Sequence, residues 1–198
     1  MKEAVDDLGL TRLRLEPPSG NRSNTRRWEW LNDNGDPYNI DWSDFNTTAL
    51  DGRLQEIVIP FKRRVEANGN PFEVYLSPSY FDGGSSGRVP AWLFYSPGEY
   101  AEHAIALITY LKDNYDITAD YYCILNEAGN NNPFSAAVVG RMIGTLGPWL
   151  GALGLPTKIQ FPECVNGNAS WNYIQTLQND SLIWPYIGLV TYHTLRRQ

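Results

Sequence analysis

Long apolar runs, a basic excess and a metal-type cysteine pattern are all missing from this chain, and each absence removes a class of function. No apolar stretch approaches the roughly 18 residues that a membrane-spanning helix needs. Lys and Arg number 16 against 22 Asp and Glu, a formal net charge of -6. With no basic stripe to neutralise phosphates, nucleic acid is not the expected partner. The clusters Arg26-Arg27 and Lys62-Arg63-Arg64 are short, and the second falls on an expected helix, where it reads as a solvated face. Cys123 and Cys164 supply no metal-ligand set and leave the redox compartment open. Nothing implies a metal, a cofactor or an obligate protein partner. The segment Met1 to Asp7 is charged and lacks the apolar core of a secretion signal. Four acceptor sequons, beginning at Asn21, Asn46, Asn168 and Asn179, hint faintly at the secretory pathway.

What remains is ordinary for one domain with a substantial core: 198 residues, 42% hydrophobic and 19% charged. Aromatic residues are the unusual component at 13%, with seven Trp and twelve Tyr. Core packing accounts for most of them. Trp28, Trp30 and Trp42, however, lie in a Gly/Asn/Asp-rich stretch expected to be a surface loop. Exposed rings on a loop serve as flat platforms for the apolar faces of ligands, so Trp28 is a candidate sugar-stacking residue.

Strand and helix patterns alternate along the chain. Period-two apolarity predicts a strand over Leu10 to Leu15. After a long loop, Leu50, Leu54, Ile57, Val58, Phe61 and Val65 mark one helical face, with Pro60 expected to kink it. Phe72 to Leu76 is the next strand. Ser96-Pro97-Gly98-Glu99 offers an N-cap, a proline at the first helical position and a capping-box acid for a helix through Leu111. The run Tyr121 to Leu125 reads as a buried strand, followed by a helix over Ser135 to Leu153. Lys158 to Phe161, a helix over Trp171 to Leu182, and Ile187 to Tyr192 complete the series.

Units of this kind, all parallel, fit an open doubly wound sheet or part of an eight-stranded barrel. The open sheet normally carries a Gly-rich first turn for phosphate, whereas Leu15 is followed by Glu16-Pro17-Pro18-Ser19. A complete barrel needs about 250 residues. The expected fold class is therefore α/β, a partial (β/α)8 TIM barrel covering approximately strands 2 to 6, as one incomplete domain over residues 1-198.

Barrels of this class place their chemistry at strand C-termini, and Asn126-Glu127 stands at one. An acid there can protonate a glycosidic oxygen while the amide beside it hydrogen-bonds a neighbouring hydroxyl. In this setting the chain resembles the glycoside hydrolases of clan A, most closely family 30. The segments that carry the resemblance are Leu13-Arg14-Leu15, Leu76-Ser77-Pro78-Ser79-Tyr80, Leu125-Asn126-Glu127, Lys158 to Glu163 and Gly188 to His193, in order along nearly the whole chain. The resemblance implies retaining hydrolysis of a β-linked polysaccharide or glycoconjugate, with Glu127 as general acid/base. Asn126 would bond the sugar 2-hydroxyl, Arg14 would support the nucleophile, and Tyr80 and His193 would line the subsite. Glu163 reads as a substrate contact, a supporting residue or a structural one.

The departures matter too. In the family the nucleophile ends the seventh strand, and this chain reaches Gln198 just past the sixth. Met1 falls in what should be the first helix, Leu195 stands where the family often has Tyr, and Arg196-Arg197-Gln198 has no counterpart. The expectation is an incomplete barrel with two unpaired sheet edges, poorly soluble or dependent on missing segments, and inactive alone. The competing readings are a carbohydrate-binding remnant without hydrolysis and a complete open-sheet enzyme acting on a small molecule.

Overall fold

The computed structural model describes residues 2-17, 28, 29, 31-79, 90-130 and 133-194. Five strands form one sheet: β1 (Arg12–Leu15), β2 (Glu73–Leu76), β3 (Tyr121–Cys123), β4 (Lys158–Cys164) and β5 (Ile187–Tyr192). They lie side by side in chain order, every neighbouring pair parallel. This order never reverses, so the doubly wound sheet is excluded and the arrangement is an arc of a (β/α)8 barrel. Among the described strands, β1 and β5 are each paired on one side only.

The helices are α1 (Thr48–Arg53), α2 (Ile59–Ala67), α3 (Ala91–Tyr95), α4 (Pro97–Tyr115), α5 (Ala136–Ala152) and α6 (Gly167–Leu177). Helix–sheet packing buries Val74, Leu76, Tyr122, Ile159 and Phe161 against Leu107, Ile108, Met142, Ile143 and Leu146. Apolar burial of this kind stabilises by about 25 cal/mol per Å². The other face of the sheet is polar and aromatic. Arg12 pairs with Glu73 at 2.7 Å, Tyr75 donates to Glu73 at 3.0 Å, and the Tyr75 and Tyr121 rings stack at 4.9 Å. Burial, and secondarily the bond to Glu73, pushes the Tyr75 hydroxyl up to about 12.

Several boundaries differ from the sequence reading, each for a local reason. The break expected at Pro60 appears as a π-helical stretch, Leu54–Val58, between α1 and α2, which removes the need for a proline N–H. Helix α6 starts earlier than Trp171 because the Asn166 side chain caps it, accepting from the Ala169 N–H at 2.9 Å. Helix α3, absent from the sequence reading, precedes α4 and ends at Ser96. Ser96 is indeed the N-cap residue of α4 with Pro97 in the first turn, yet its side chain makes no capping bond. The expected capping box is therefore not formed, and Glu99 points elsewhere.

The aromatic loop is the largest correction. Trp28 is 0% exposed, with Phe45 at 5.0 Å, Tyr110 of α4 at 5.2 Å and Trp42 at 6.3 Å. The loop folds back over α4 and uses Trp28 to seal the core, so that ring cannot present a face to a ligand. Trp42 stays 44% exposed at the edge of this stack. Trp30 lies outside the described residues.

Candidate active site

The C-terminal tips of the strands converge on two acids. Strand β3 ends at Cys123, and the chain runs on through buried Ile124 and Leu125 to Asn126 and Glu127. Backbone bonds extend the ladder past the sheet: the Asn126 N–H donates to Pro78 O at 2.8 Å and the Glu127 N–H to Glu163 O at 2.9 Å. Strand β4 runs further than Phe161, to Cys164. Its pairing with β5 jumps from Pro162↔Thr191 to Cys164↔Tyr192, which leaves Glu163 as the extra residue of a β-bulge. A bulge re-aims a side chain, and here it turns Glu163 toward the strand tips.

Glu127 and Glu163 have φ of 53° and 52°, the left-handed region that residues other than glycine seldom occupy. Such strain persists only where surrounding contacts hold it, and it gathers at functional sites. Here the contacts are visible. The Glu127 Oε1 lies 2.7 Å from His193 Nδ1, and its Oε2 accepts from the Asn130 amide at 3.0 Å. The second ring nitrogen of His193 is 3.6 Å from Glu163 Oε1, so one imidazole stands between the two acids. His193 is itself fixed by its N–H donating to Cys164 O at 2.9 Å.

Arg14, at the end of β1, ties the group together. Its Nη2 donates to Asn126 Oδ1 at 2.5 Å and to Ser77 Oγ at 3.1 Å, while Nε is 3.6 Å from Glu163 Oε1. Guanidinium only donates, so the amide oxygen of Asn126 must face Arg14 and its NH2 is turned outward as a donor. Ser77 in turn donates to Glu163 Oε2 at 2.7 Å. Glu163 lies at the floor, 4% exposed, and below it burial and then the Glu163 charge push the Cys123 thiol well up. Cys123 is thereby held as a neutral thiol, unsuited to nucleophilic attack.

Four of the candidate residues from the sequence, Arg14, Asn126, Glu127 and His193, thus meet in one cluster; Trp28 does not, and Tyr80 lies outside the described residues. Sequence reasoning passed over Ser77 and Asn130 and left Glu163 ambiguous. Ser77 sits in the Ser77-Pro78-Ser79 turn, and Asn130 three residues beyond Glu127 in a turn closed by its N–H on Glu127 O at 3.0 Å. Neither has a spacing signal, since turn-forming Ser and Asn look alike whatever they bond.

The described strands thus form an arc of a TIM barrel with the acid cluster at its strand tips. No protein-family model matches the chain, and no curated protein does. Solved structures do. An endo-β1,6-glucanase superposes on 100% of this chain with TM-score 0.62 and 17% identity. A family 30 subfamily 8 xylanase from Clostridium acetobutylicum does so over 100% with TM-score 0.65 and 16% identity. The catalytic domain of a family 30 xylanase from Talaromyces cellulolyticus covers 94%, with TM-score 0.60 and 16% identity. The chain spans about half the length of these structures, 47%, 46% and 44% of each. At such identities the likeness establishes the shared fold.

Proposed function

We propose that this chain carries the acid/base half of a retaining O-glycosyl hydrolase site acting on a β-linked polysaccharide or glycoconjugate. The observation that carries the reading is the pairing of Glu127 with His193 at 2.7 Å beside an Asn126 oriented by Arg14 at a strand tip. In the proposed reaction Glu127 protonates the glycosidic oxygen as a second carboxylate, about 5 Å away across the sugar, attacks the anomeric carbon. The C–O bond to the leaving group breaks as the glycosyl-enzyme ester forms. Glu127, now ionised, takes a proton from water, whose oxygen displaces the carboxylate. The outward NH2 of Asn126 bonds the 2-hydroxyl. Glu163 holds Arg14 and Ser77 in place and does not attack; the nucleophile belongs to the seventh strand of the whole barrel. The named neighbours act on β1,6-glucan or xylan, so oligosaccharides of those two classes are the first substrates to try.

The test joins this chain to the complementary strands of a family 30 barrel and compares it with its Glu127→Gln variant. Hydrolysis of unactivated β-linked oligosaccharides falls by about 10²- to 10⁴-fold. Activated aryl glycosides still form the covalent intermediate, and azide restores their turnover. Equal hydrolysis by the two proteins would rule the assignment out. A second reading, sugar binding without cleavage, is favoured by the commitment of Glu163 to Ser77 and Arg14. Under it, isothermal titration of the chain alone shows oligosaccharide binding and chromatography shows no product.

A further inference from the structure

A second group of acids lies away from the strand tips, where the loop after β1 crosses the start of α4. Gly98 sits at the crossing: a Cβ there would stand 3.1 Å from the Pro37 ring, so a larger residue would press the loop away by a few tenths of an ångström. The contact brings Asp33 of the loop against Glu99 and Glu102 of α4. One carboxylate oxygen from each of the three lies within 4.8 Å of the others. Glu99 and Glu102 are 7% and 2% exposed, and Glu99 Oε2 and Glu102 Oε1 are buried with no hydrogen-bond partner.

Burying a carboxylate without compensation is strongly unfavourable. Glu102 shares a hydrogen bond with Glu99, and among the described residues no ion pair reaches either carboxyl group. The nearby imidazole, His103, is bonded to Glu29 at 2.8 Å. The ion pairs of Lys2, Arg12, Arg14, Lys62 and Arg64 all go to other acids. Glu99 stands at the capping-box position and forgoes that role to face the cluster. Asp33 is the anchored member: its carboxylate accepts from the Asn34 N–H at 2.8 Å, the Asn34 amide at 2.9 Å and the Asp41 N–H at 2.5 Å. One residue before it, Asn32 Oδ1 is another buried oxygen with no partner.

We propose that Asp33, Glu99 and Glu102 form a binding site for a hard divalent cation, with calcium as the ion they suit best. The donors are all oxygens, which selects against thiophilic metals. Calcium takes carboxylates in one- or two-oxygen fashion at about 2.3–2.6 Å, so donors around it stand up to about 5 Å apart. Magnesium holds its donors at about 2.0–2.1 Å in a regular octahedron, so oxygens spread over as much as 4.8 Å suit the longer calcium distances better. The bound ion would clip the loop after β1 to α4, on the side of the sheet where the strand tips meet. The site is separate from the proposed chemistry, and neither depends on the other.

The experiment uses the full chain, freed of metal with EGTA. Calcium titrated calorimetrically, with terbium luminescence as a second readout, should show one ion per chain. Saturating calcium should raise the melting temperature by about 4 °C or more. Glu102→Gln and, separately, Glu99→Gln should weaken binding at least about tenfold and abolish the thermal shift. Absence of calcium binding to the wild-type chain by equilibrium dialysis would overturn the proposal, and that measurement stands even if a variant does not fold. Calcium binding that survives both substitutions unchanged would overturn it as well.

Discussion

Two groups of acids sit at one end of the sheet and are held in opposite ways. At the strand tips, Glu127 and Glu163 face an imidazole, a guanidinium, a serine hydroxyl and an asparagine amide. At the start of α4, Asp33 accepts from Asn34 and Asp41, while Glu99 and Glu102 are buried with an oxygen each that no donor reaches. Both lie level with the end of β3, for the Tyr100 hydroxyl of α4 donates to Ile124 O just beyond that strand. The contrast teaches that acidity of a site says little until its donors are counted. The tip acids are matched by donors; Glu99 and Glu102 are not, and an unmatched buried carboxylate favours a proton or a cation.

The compensated group should break hardest. Glu163→Ala leaves Arg14 and Ser77 without their acceptor and empties the floor of the cluster. Removing one partner of a buried charged hydrogen-bond set costs about 2–4 kcal/mol. Urea unfolding of the chain should show a loss of that order, with Glu163→Gln losing less because it still accepts from Ser77. Equal and negligible losses for the two would mean that the bulge holds Glu163 for no structural purpose.

The uncompensated group should respond to pH instead. Burial first, then the charges of Asp33, Glu99 and Glu29, raise Glu102 from its ordinary 4.5 to about 8. The sign follows: between those values the folded chain holds a proton that the unfolded chain has released, so stability is full below 4.5 and declines as pH rises through 8. His103, paired with Glu29 at 2.8 Å, faces the same region. In metal-free buffer, the melting temperature should therefore fall between pH 5 and pH 8, and Glu102→Gln should flatten that slope. At pH 8 the variant should melt higher than the wild type by about 2–4 °C, the change expected for about 1 kcal/mol in a chain of this size. A wild-type slope that persists in the variant would assign the effect to other groups.

How much of this could be read from residues alone differs between the regions. The parallel arc was legible because its strands are short apolar or alternating runs separated by amphipathic helices, and Asn126, Glu127 and His193 stand at the ends of such runs. Arg14 was legible only through the resemblance. Glu163 was ambiguous because a bulge is a pairing irregularity, invisible until β5 lies beside β4. Trp28 misled, since loop composition reports exposure on average and says nothing of a loop folding back onto Tyr110. The acid trio had no signal at all: Asp33 is far from Glu99 in sequence, and Ser96-Pro97-Gly98-Glu99 spelled a capping box. Local rules fail where tertiary contacts assign a residue other work.

Arg14→Lys should give the smallest effect and test how the two halves of the tip cluster are coupled. Lysine keeps the charge near Glu163 but loses the planar guanidinium that sets Nη2 on Asn126 and Ser77 while Nε faces Glu163. Arg14 is 42% exposed at its side chain, so solvent screens its charge and stability should change by no more than about 1 kcal/mol. The consequence belongs to Asn126, whose amide is no longer obliged to turn its oxygen inward. In the completed barrel, kcat should fall several-fold for substrates bearing a 2-hydroxyl and much less for 2-deoxy analogues, since orientation of the Asn126 NH2 matters only to the former. Equal losses on both substrates would show that Arg14 acts through charge alone, and the coupling through Asn126 would have to be given up.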